Sequence, residues 1–247
     1  MAIEFVNGYS VVNTTFQNKS LLISIDCLNR EWTDNTHNTN NCMDYAFENC
    51  SSLLYVKNLS ENITSMKGAF KNCSSMVEFP TFPNNITDYF EMFKDCSSLQ
   101  SATISQSVTN LSQTFKNCSS LSLVSTIPSS VTNMYQTFDG CVNLPEIISI
   151  TSSEITNASE CFGNTTSDKF VYIPFLYSDH TYTTTYQSFR SAGYSTSVRK
   201  DGVILVDNSD YFPDVDLRDY DYTVDSNMIA HLTKYIGQSV RVIQPKI

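Results

Sequence analysis

Near the end of the chain, six aspartates lie within sixteen residues: Asp210, Asp214, Asp216, Asp219, Asp221 and Asp225. Clustered carboxylates suit two kinds of chemistry. Their oxygen atoms are the ligands that Ca²⁺ prefers, and Asp214 and Asp216 would share one face of a strand, where they could act as the carboxylate pair of a glycosidase. The calcium-loop pattern fails, because Arg218 occupies its fifth position and Asp219 its sixth. We interpret the segment as a solvated acidic face, with a cation site and a catalytic pair as the alternatives.

Other residue types that support catalysis are scattered. The histidines His37, His180 and His231 lie far apart in the sequence and show no metal-binding spacing such as HExxH. The sequence contains no GxSxG motif, no phosphate-binding glycine-rich loop and no CxxC pair, so neither a zinc knuckle nor a redox motif is predicted. We expect no catalytic residue, no cofactor and no metal. A carbohydrate-active enzyme would depend on the aspartates alone.

An internal repeat dominates the middle of the chain. Five copies of a motif Phe-x-x-Cys, followed by two small or polar residues and Leu or Met, begin at Phe47, Phe70, Phe93, Phe115 and Phe138. The successive spacings are 23, 23, 22 and 23 residues, and fainter copies surround Phe16 and Phe162. A unit of this length cannot bury its own apolar side, so neighbouring units must stack and share one core.

Each unit predicts a strand, a turn, a short second strand and a helical turn. An apolar residue four positions before the phenylalanine, such as Met66 before Phe70, fits one turn of helix pointing inward. The repeat places Cys50, Cys73, Cys96, Cys118 and Cys141 in one register. Paired strands lie about 4.8 Å apart, which leaves a disulfide geometrically open, but free cysteine packs well as a small apolar residue. We predict a column of buried thiols.

The motif FxNCSSL, followed by IP or FP and by VTNM, resembles the BspA-like leucine-rich repeats of bacterial and protist surface proteins and some phage proteins. The resemblance covers about residues 43–162. It implies a β-rich leucine-rich-repeat solenoid with short helical turns that serves binding or adhesion, and it implies no chemistry.

This organisation divides the chain into four predicted segments. Residues 1–42 are predicted to cap the array at its N-terminus, with an apolar strand over 21–25 and a polar loop over 31–41. Residues 43–162 form the array of five to six repeats. Residues 163–207 predict a C-terminal cap of strand, helix and strand, in which Gly193 ends the helix. Residues 208–247 combine the acidic segment with a small β module, a hairpin of 232–237 and 240–245, for self-association or attachment.

The acidity of the chain is local. Twenty-five acidic and 15 basic residues give a net charge of −10, and residues 201–225 alone hold eight aspartates against one arginine. The array is therefore nearly neutral. An acidic chain without a run of Lys and Arg does not predict nucleic-acid binding, and no apolar stretch has the roughly 20 residues that membrane insertion needs. The N-terminus lacks the basic and apolar regions of a secretory signal, so we expect synthesis in the cytoplasm with reduced thiols.

The variable positions beside the predicted strands are the candidates for ligand contact: Tyr55, Lys57, Val77, Glu78, Gln100, Ser101, Ser122 and Glu146. Each is equally compatible with ordinary solvated surface. Amides and hydroxyls dominate the array, which favours a neutral, hydrogen-bonding contact with a protein or a surface glycan.

We therefore expect a non-enzymatic binding or structural protein. A surface-type repeat without an export signal favours a phage virion component, such as a fibre, receptor-binding or capsid-decorating protein. The tail would then contact other virion subunits, and a homo-oligomer is compatible with this interpretation. An intracellular protein–protein interaction scaffold is the alternative, and a carbohydrate-active enzyme is less favoured.

Overall fold

The computed structural model describes residues 2–4, 11–12, 15–26, 32–33, 41–78, 85–178, 181–208, 220–224 and 230–235. The chain divides into two compact units, Met1–Asp210 and Tyr211–Ile247. Within the described residues, no helix combines the length and the apolar character needed to cross a membrane.

The first unit is built from short strands and one helix. Its described elements are β1 (Ala2–Glu4), β2 (Val11–Val12), β3 (Ser24–Asp26), β4 (Trp32–Thr33), β5 (Tyr55–Lys57), β6 (Ser101–Ala102), β7 (Leu123–Val124), β8 (Ile147–Ser149), β9 (Lys169–Ile173), α1 (Thr184–Ser191) and β10 (Val203–Asp207). The strand β4 lies inside the stretch predicted as a polar loop, because Trp32 and Thr33 pair with Val11 and Val12.

Strands from successive coils pair in parallel, as expected when every coil runs in the same direction. The described pairings join β1, β3 and β5, then β6 and β7, then β8, β9 and β10. A second line of parallel bridges runs from Asp88 to Asn110, Asn133 and Asn157, one residue per coil. The described part of the first unit is therefore a coiled stack with one face made by the strands and another by the turns that contain the phenylalanines.

The phenylalanines of the repeat form a stacked column inside the first unit. Neighbouring rings lie 5.3–6.0 Å apart between centroids and within 19° of parallel, in the order Phe16, Phe47, Phe70, Phe93, Phe115, Phe138 and Phe162. All of them are buried. The predicted faint copies around Phe16 and Phe162 thus join the same column, and aromatic stacking adds to the apolar area that each coil buries.

The predicted helical turn is a tighter structure. Met66 and Phe70 are both buried as expected, but the chain there makes hydrogen bonds three residues apart, such as Cys73 N–H to the carbonyl of Phe70 at 3.0 Å. The residue two positions after each phenylalanine has a φ of 56–76°: Asn18, Asn49, Asn72, Asp95, Asn117, Gly140 and Asn164. This left-handed backbone interrupts any α-helix and explains the Asn of the repeat, since Asn, Asp and Gly tolerate it best.

Helix α1 follows the coil that contains Phe162. Strand, helix and strand lie where the sequence predicts them, as β9, α1 and β10. The side chain of Thr183 accepts the N–H of Tyr186 and begins the helix, and Gly193 follows its end with a φ of 89°.

The second unit contains an antiparallel hairpin of β11 (Tyr220–Val224) and β12 (Ala230–Tyr235). The sequence predicts the second of these strands but pairs it with residues 240–245, which lie outside the described residues. In the structure its partner is the preceding segment, which includes Asp221. Part of the stretch interpreted as a solvated acidic face is therefore a strand.

Candidate binding surface

The strand face carries all eight residues predicted to contact a ligand. Tyr55 and Lys57 lie in β5 and Ser101 in β6, while Gln100, Ser122 and Glu146 immediately precede β6, β7 and β8. Val77 and Glu78 follow the buried Met76 in the coil between β5 and β6. Tyr55 and Ser101 are half-buried, and the other six are exposed.

Three of the predicted residues form one row across neighbouring coils. Gln100 N–H donates to the carbonyl of Val77 at 3.3 Å, and Ser122 N–H donates to that of Gln100 at 3.0 Å. The row continues through Leu54 and Ile23, because Leu54 N–H donates to the carbonyl of Ile23 at 2.8 Å. The exposed side chains of this row are apolar at its N-terminal end and polar at its C-terminal end.

A second row runs beside the first and contains two residues that the sequence analysis missed. Ser101 pairs with Leu123, and Leu123 is 67% exposed. Ile147 is 60% exposed and pairs with Phe170 of the next coil. Ile147 follows Leu144 at the same spacing at which the buried Val56 follows Leu53 and the buried Ala102 follows Leu99. An extra residue between Phe138 and β8 shifts this coil, so that Ile148 is buried instead.

Charge on the strand face is sparse. The ammonium group of Lys57 lies 4.8 Å from the centre of the Tyr55 ring, a distance typical of a cation–π contact. Lys57 also pairs in register with Asp26 of β3, and the predicted residues add only Glu78 and Glu146 to these charges. The face presents apolar and uncharged polar side chains for contact.

On the turn face, by contrast, the charged side chains form ion pairs with one another. Glu91 is 8% exposed and receives the ammonium groups of Lys71 at 2.8 Å and of Lys94 at 2.6 Å. Burial raises the pKa of Glu91, but the hydrogen bonds from Lys71 and Lys94 lower it by more, and the net pKa lies below its ordinary value. A carboxylate held as an anion by two lysines is poorly suited to act as a general acid.

The column of buried thiols is confirmed. Cys50, Cys73, Cys96, Cys118 and Cys141 are free and buried, and each donates its S–H to the carbonyl of a phenylalanine in the preceding coil at 2.9–3.1 Å. Burial raises the pKa of all five. Cys161 is buried too, in a different row directly before Phe162. Thiols protonated in this way are weak nucleophiles.

The remaining candidates for chemistry have little access to solvent or lie outside the described side chains. Lys169 is fully buried, donates to the carbonyl of Ser167 at 2.8 Å, and has its pKa lowered by burial. His37, His180, Asp214 and Asp216 fall outside the described residues. In the part of the chain whose side chains are described, no group of three or more His, Cys, Asp and Glu residues is placed to hold a metal ion.

Stacked coils with a parallel strand face, a phenylalanine column and asparagine turns define a leucine-rich-repeat solenoid. Its sequence matches the profile described as BspA type leucine rich repeat region, six copies, over residues 25–144 and again over 87–192. The chain belongs to this family of leucine-rich-repeat proteins.

No curated protein matches the chain. Two solved structures are similar. The leucine-rich-repeat protein TpLRR of T. pallidum is 21% identical, with a TM-score of 0.45 over 78% of this chain and 80% of that one. A leucine-rich-repeat protein of Bacteroides ovatus ATCC 8483 is 18% identical, with a TM-score of 0.49 over 83% of this chain and 58% of that one.

Proposed function

We propose that the chain is a non-enzymatic binding module that contacts a protein partner through its strand face. The observation that carries this proposal is the exposure of Leu123 and Ile147, at 67% and 60%, in the strands β7 and β8 of neighbouring coils. Ile23, Leu54 and Val77 add a second line of exposed apolar side chains on the same face.

The chemistry of this face favours a protein over a glycan. Apolar side chains held on a rigid sheet give up little conformational entropy on binding, and the centres of protein interfaces are apolar and poor in charge. Tyr55 and Lys57 lie on the same face, and tyrosine is among the residues that contribute most to binding energy. The turn face is less suited, because its lysines already form ion pairs with Glu91 and Asp139.

Retention of the purified chain on candidate partner cells tests this function. A variant with Leu123→Asp and Ile147→Asp places two charges on the strand face. A matched control with Gln106→Asp and Ser129→Asp adds the same charge at exposed positions away from the strands. We expect the strand-face variant alone to lose about tenfold or more in retention. Equal retention by both variants would exclude the strand face as the site of contact.

The biological setting remains a prediction. A virion component made in the cytoplasm and an intracellular scaffold both need a binding face of this kind, and the family relationship is compatible with each. The prediction of a virion protein requires that the chain be found in purified particles, which mass spectrometry of those particles tests. A cytoplasmic complex without particle association would favour the scaffold.

The ends of the array are part of the proposal. We infer that residues 163–207 act as the C-terminal cap, because helix α1 and Tyr194 supply hydrogen-bond acceptors to the last coil. The hairpin of β11 and β12 would serve attachment or self-association. Size-exclusion chromatography of the full chain against a chain ending at residue 208 measures any oligomer that depends on the tail.

A further inference from the structure

A cleft of about 310 Å³ lies between the last coil of the array and helix α1. The coil contributes Thr156, Asn157 and Ser159 to its walls, and the helix contributes Thr184, Gln187 and Ser191. The cleft lies apart from the strand face, and no predicted ligand-contact residue lines it.

The cleft exists because a helix follows the last coil where another coil would otherwise stack. In the array, Met134 N–H donates directly to the backbone carbonyl of Asn157 in the next coil at 2.8 Å. The equivalent amide of Ala158 donates instead to the side-chain oxygen of Ser188 in α1 at 2.9 Å. An interposed side chain holds the helix backbone further from the coil than another coil would lie, and the remaining space opens to solvent.

The walls of the cleft offer uncharged donors and acceptors. The side-chain oxygen of Asn157 accepts the N–H of Ser159 at 3.0 Å, and its amide nitrogen makes no hydrogen bond within the described part of the chain. Gln187 is exposed; its amide nitrogen donates to the carbonyl of Tyr182 at 2.9 Å, so its side-chain oxygen is the acceptor that it supplies. The cleft residues that the structure describes carry no charge, and Ala192 is their one apolar member.

Three rows of side chains that lead to the cleft carry no charge in the coils beside it. These rows cross the turn face of the array, and their last members are Thr156, Asn157 and Ser159. The two preceding coils place only uncharged residues in these rows: Thr109, Asn110, Ser112, Thr132, Asn133 and Tyr135. Earlier coils place Asp44, Lys67 and Asp88 in equivalent positions, and Lys67 and Asp88 form an ion pair at 3.1 Å. Within these three rows, the uncharged positions are thus confined to the coils next to the cleft.

We propose that this cleft binds the end of a neutral saccharide chain, which continues over the adjacent coil past Tyr135. Hydroxyl and amide side chains match the alternating donors and acceptors of sugar hydroxyl groups. A charged ligand would find no opposite charge among the described cleft residues, and a peptide would find a single apolar residue to contact. A volume of about 310 Å³ falls at the lower end of small-ligand sites, which suits one terminal sugar.

Tyr135 extends the site beyond that first sugar. It occupies the same row as Ser159, in the neighbouring coil, and Gln136 N–H donates to the carbonyl of Ser159 at 3.0 Å. The ring is half-exposed. Since neighbouring coils lie about 4.8 Å apart, a second or third sugar unit would reach this ring.

Saturation-transfer NMR and calorimetry with the full chain test the site. The probes are neutral trisaccharides of glucose, mannose, galactose and N-acetylglucosamine, together with the matching monosaccharides. Ser191→Tyr fills the cleft from an exposed helix position, and Ser20→Tyr adds the same ring at an exposed turn of the first coil as a control. We expect at least one trisaccharide to bind, Ser191→Tyr to weaken it by about tenfold or more, and Ser20→Tyr to leave it unchanged. Tyr135→Ala should reduce the affinity of the trisaccharide to that of the monosaccharide.

Two results would overturn the proposal. One is the absence of binding by every neutral sugar of the panel at millimolar concentration. The other is binding that Ser191→Tyr leaves intact while its thermal unfolding matches that of the unmodified chain. The variant Leu123→Asp with Ile147→Asp separates this site from the strand face, because it should abolish partner retention and leave saccharide binding unchanged.

Discussion

The hydroxyl oxygen of Tyr194 accepts the backbone N–H of Phe162 at 2.9 Å. In the coil before, the equivalent N–H of Phe138 donates to the carbonyl of Cys161 at 2.8 Å. A tyrosine hydroxyl therefore takes the place of the carbonyl that another coil would supply. The Tyr194 ring also meets the Phe162 ring edge-on, with 6.0 Å between centroids. One side chain therefore contacts the last coil through both a hydrogen bond and its ring.

Removing the Tyr194 hydroxyl should destabilise the end of the array. Tyr194→Phe keeps the buried ring but leaves the buried N–H of Phe162 without an acceptor, which costs about 1–3 kcal/mol. Urea unfolding measures the loss, and amide exchange at Phe162 should accelerate. Tyr182→Phe is the control, because Tyr182 is 52% exposed, and its free energy of unfolding should change by less than about 0.5 kcal/mol. Equal stability of the two variants would contradict the role of this hydrogen bond.

At the asparagines with a left-handed backbone conformation, glycine should be a more stable substitute than alanine. Asn72 has a φ of 60° and donates its side-chain amide to Asn49 at 2.7 Å. Glycine and alanine both lose this hydrogen bond, but alanine also pays about 1–2 kcal/mol for the left-handed backbone. Asn72→Ala should therefore be less stable than Asn72→Gly in urea unfolding.

A position without a left-handed backbone serves as the control, and there alanine should be more stable than glycine. Gln106 is exposed and its φ is not positive, so Gln106→Ala should be more stable than Gln106→Gly by about 0.4–1 kcal/mol. If alanine and glycine ranked the same way at both positions, the left-handed conformation at Asn72 would be wrong.

The buried thiols should resist alkylation in the folded chain. Cys73, Cys96 and Cys118 are fully buried, and burial raises the pKa of each thiol, so the reactive thiolate is scarce at neutral pH. Iodoacetamide followed by mass spectrometry should leave these three unmodified, while the partly exposed Cys42 reacts. Denaturant should make all of them reactive. Rapid labelling of the three without denaturant would contradict the stacked column.

The repeat made most of the array predictable, because periodicity alone sets which residues share a row. The spacing of the repeat correctly predicted that the phenylalanines point inward and that the cysteines form a buried column. The exposed residues were harder to predict. One extra residue before Ile147 makes the Ile147 side chain exposed and the Ile148 side chain buried. The spacing of the phenylalanines does not reveal where within the coil the extra residue lies. The strand face was therefore predicted through Ser122 and Glu146, each directly beside an exposed apolar residue that was not predicted.

Contacts outside the periodic part were beyond sequence reasoning. Tyr194 lies 32 residues after Phe162, and only the folded path of α1 brings its hydroxyl to that amide. The second strand of the tail hairpin was recognised from its apolar residues, but its partner is a segment rich in Asp and Tyr, where charge obscured the alternation of a strand.

The carboxylate of Glu91 should make the stability of the chain depend on acidity. Its pKa is lowered in the folded state from an ordinary value of 4.5, so the folded chain binds this proton less readily than the unfolded chain. The stabilisation is complete above the unfolded value and is lost as the pH falls through the lower folded value. Glu91→Gln removes the charge that Lys71 and Lys94 share and should cost about 1.5–3 kcal/mol at neutral pH.

The glutamine variant isolates this effect, because the same row already holds glutamine at Gln113 and Gln136, both with positive φ like Glu91. Urea unfolding across a pH series should show the difference between Glu91→Gln and the unmodified chain shrinking below pH 4.5. Glu160→Gln, at the exposed end of the row, should differ little from the unmodified chain at any pH. A gap for Glu91→Gln that stays constant into acid would mean that the loss comes from packing, and the ion pairs with the two lysines would then contribute nothing to stability.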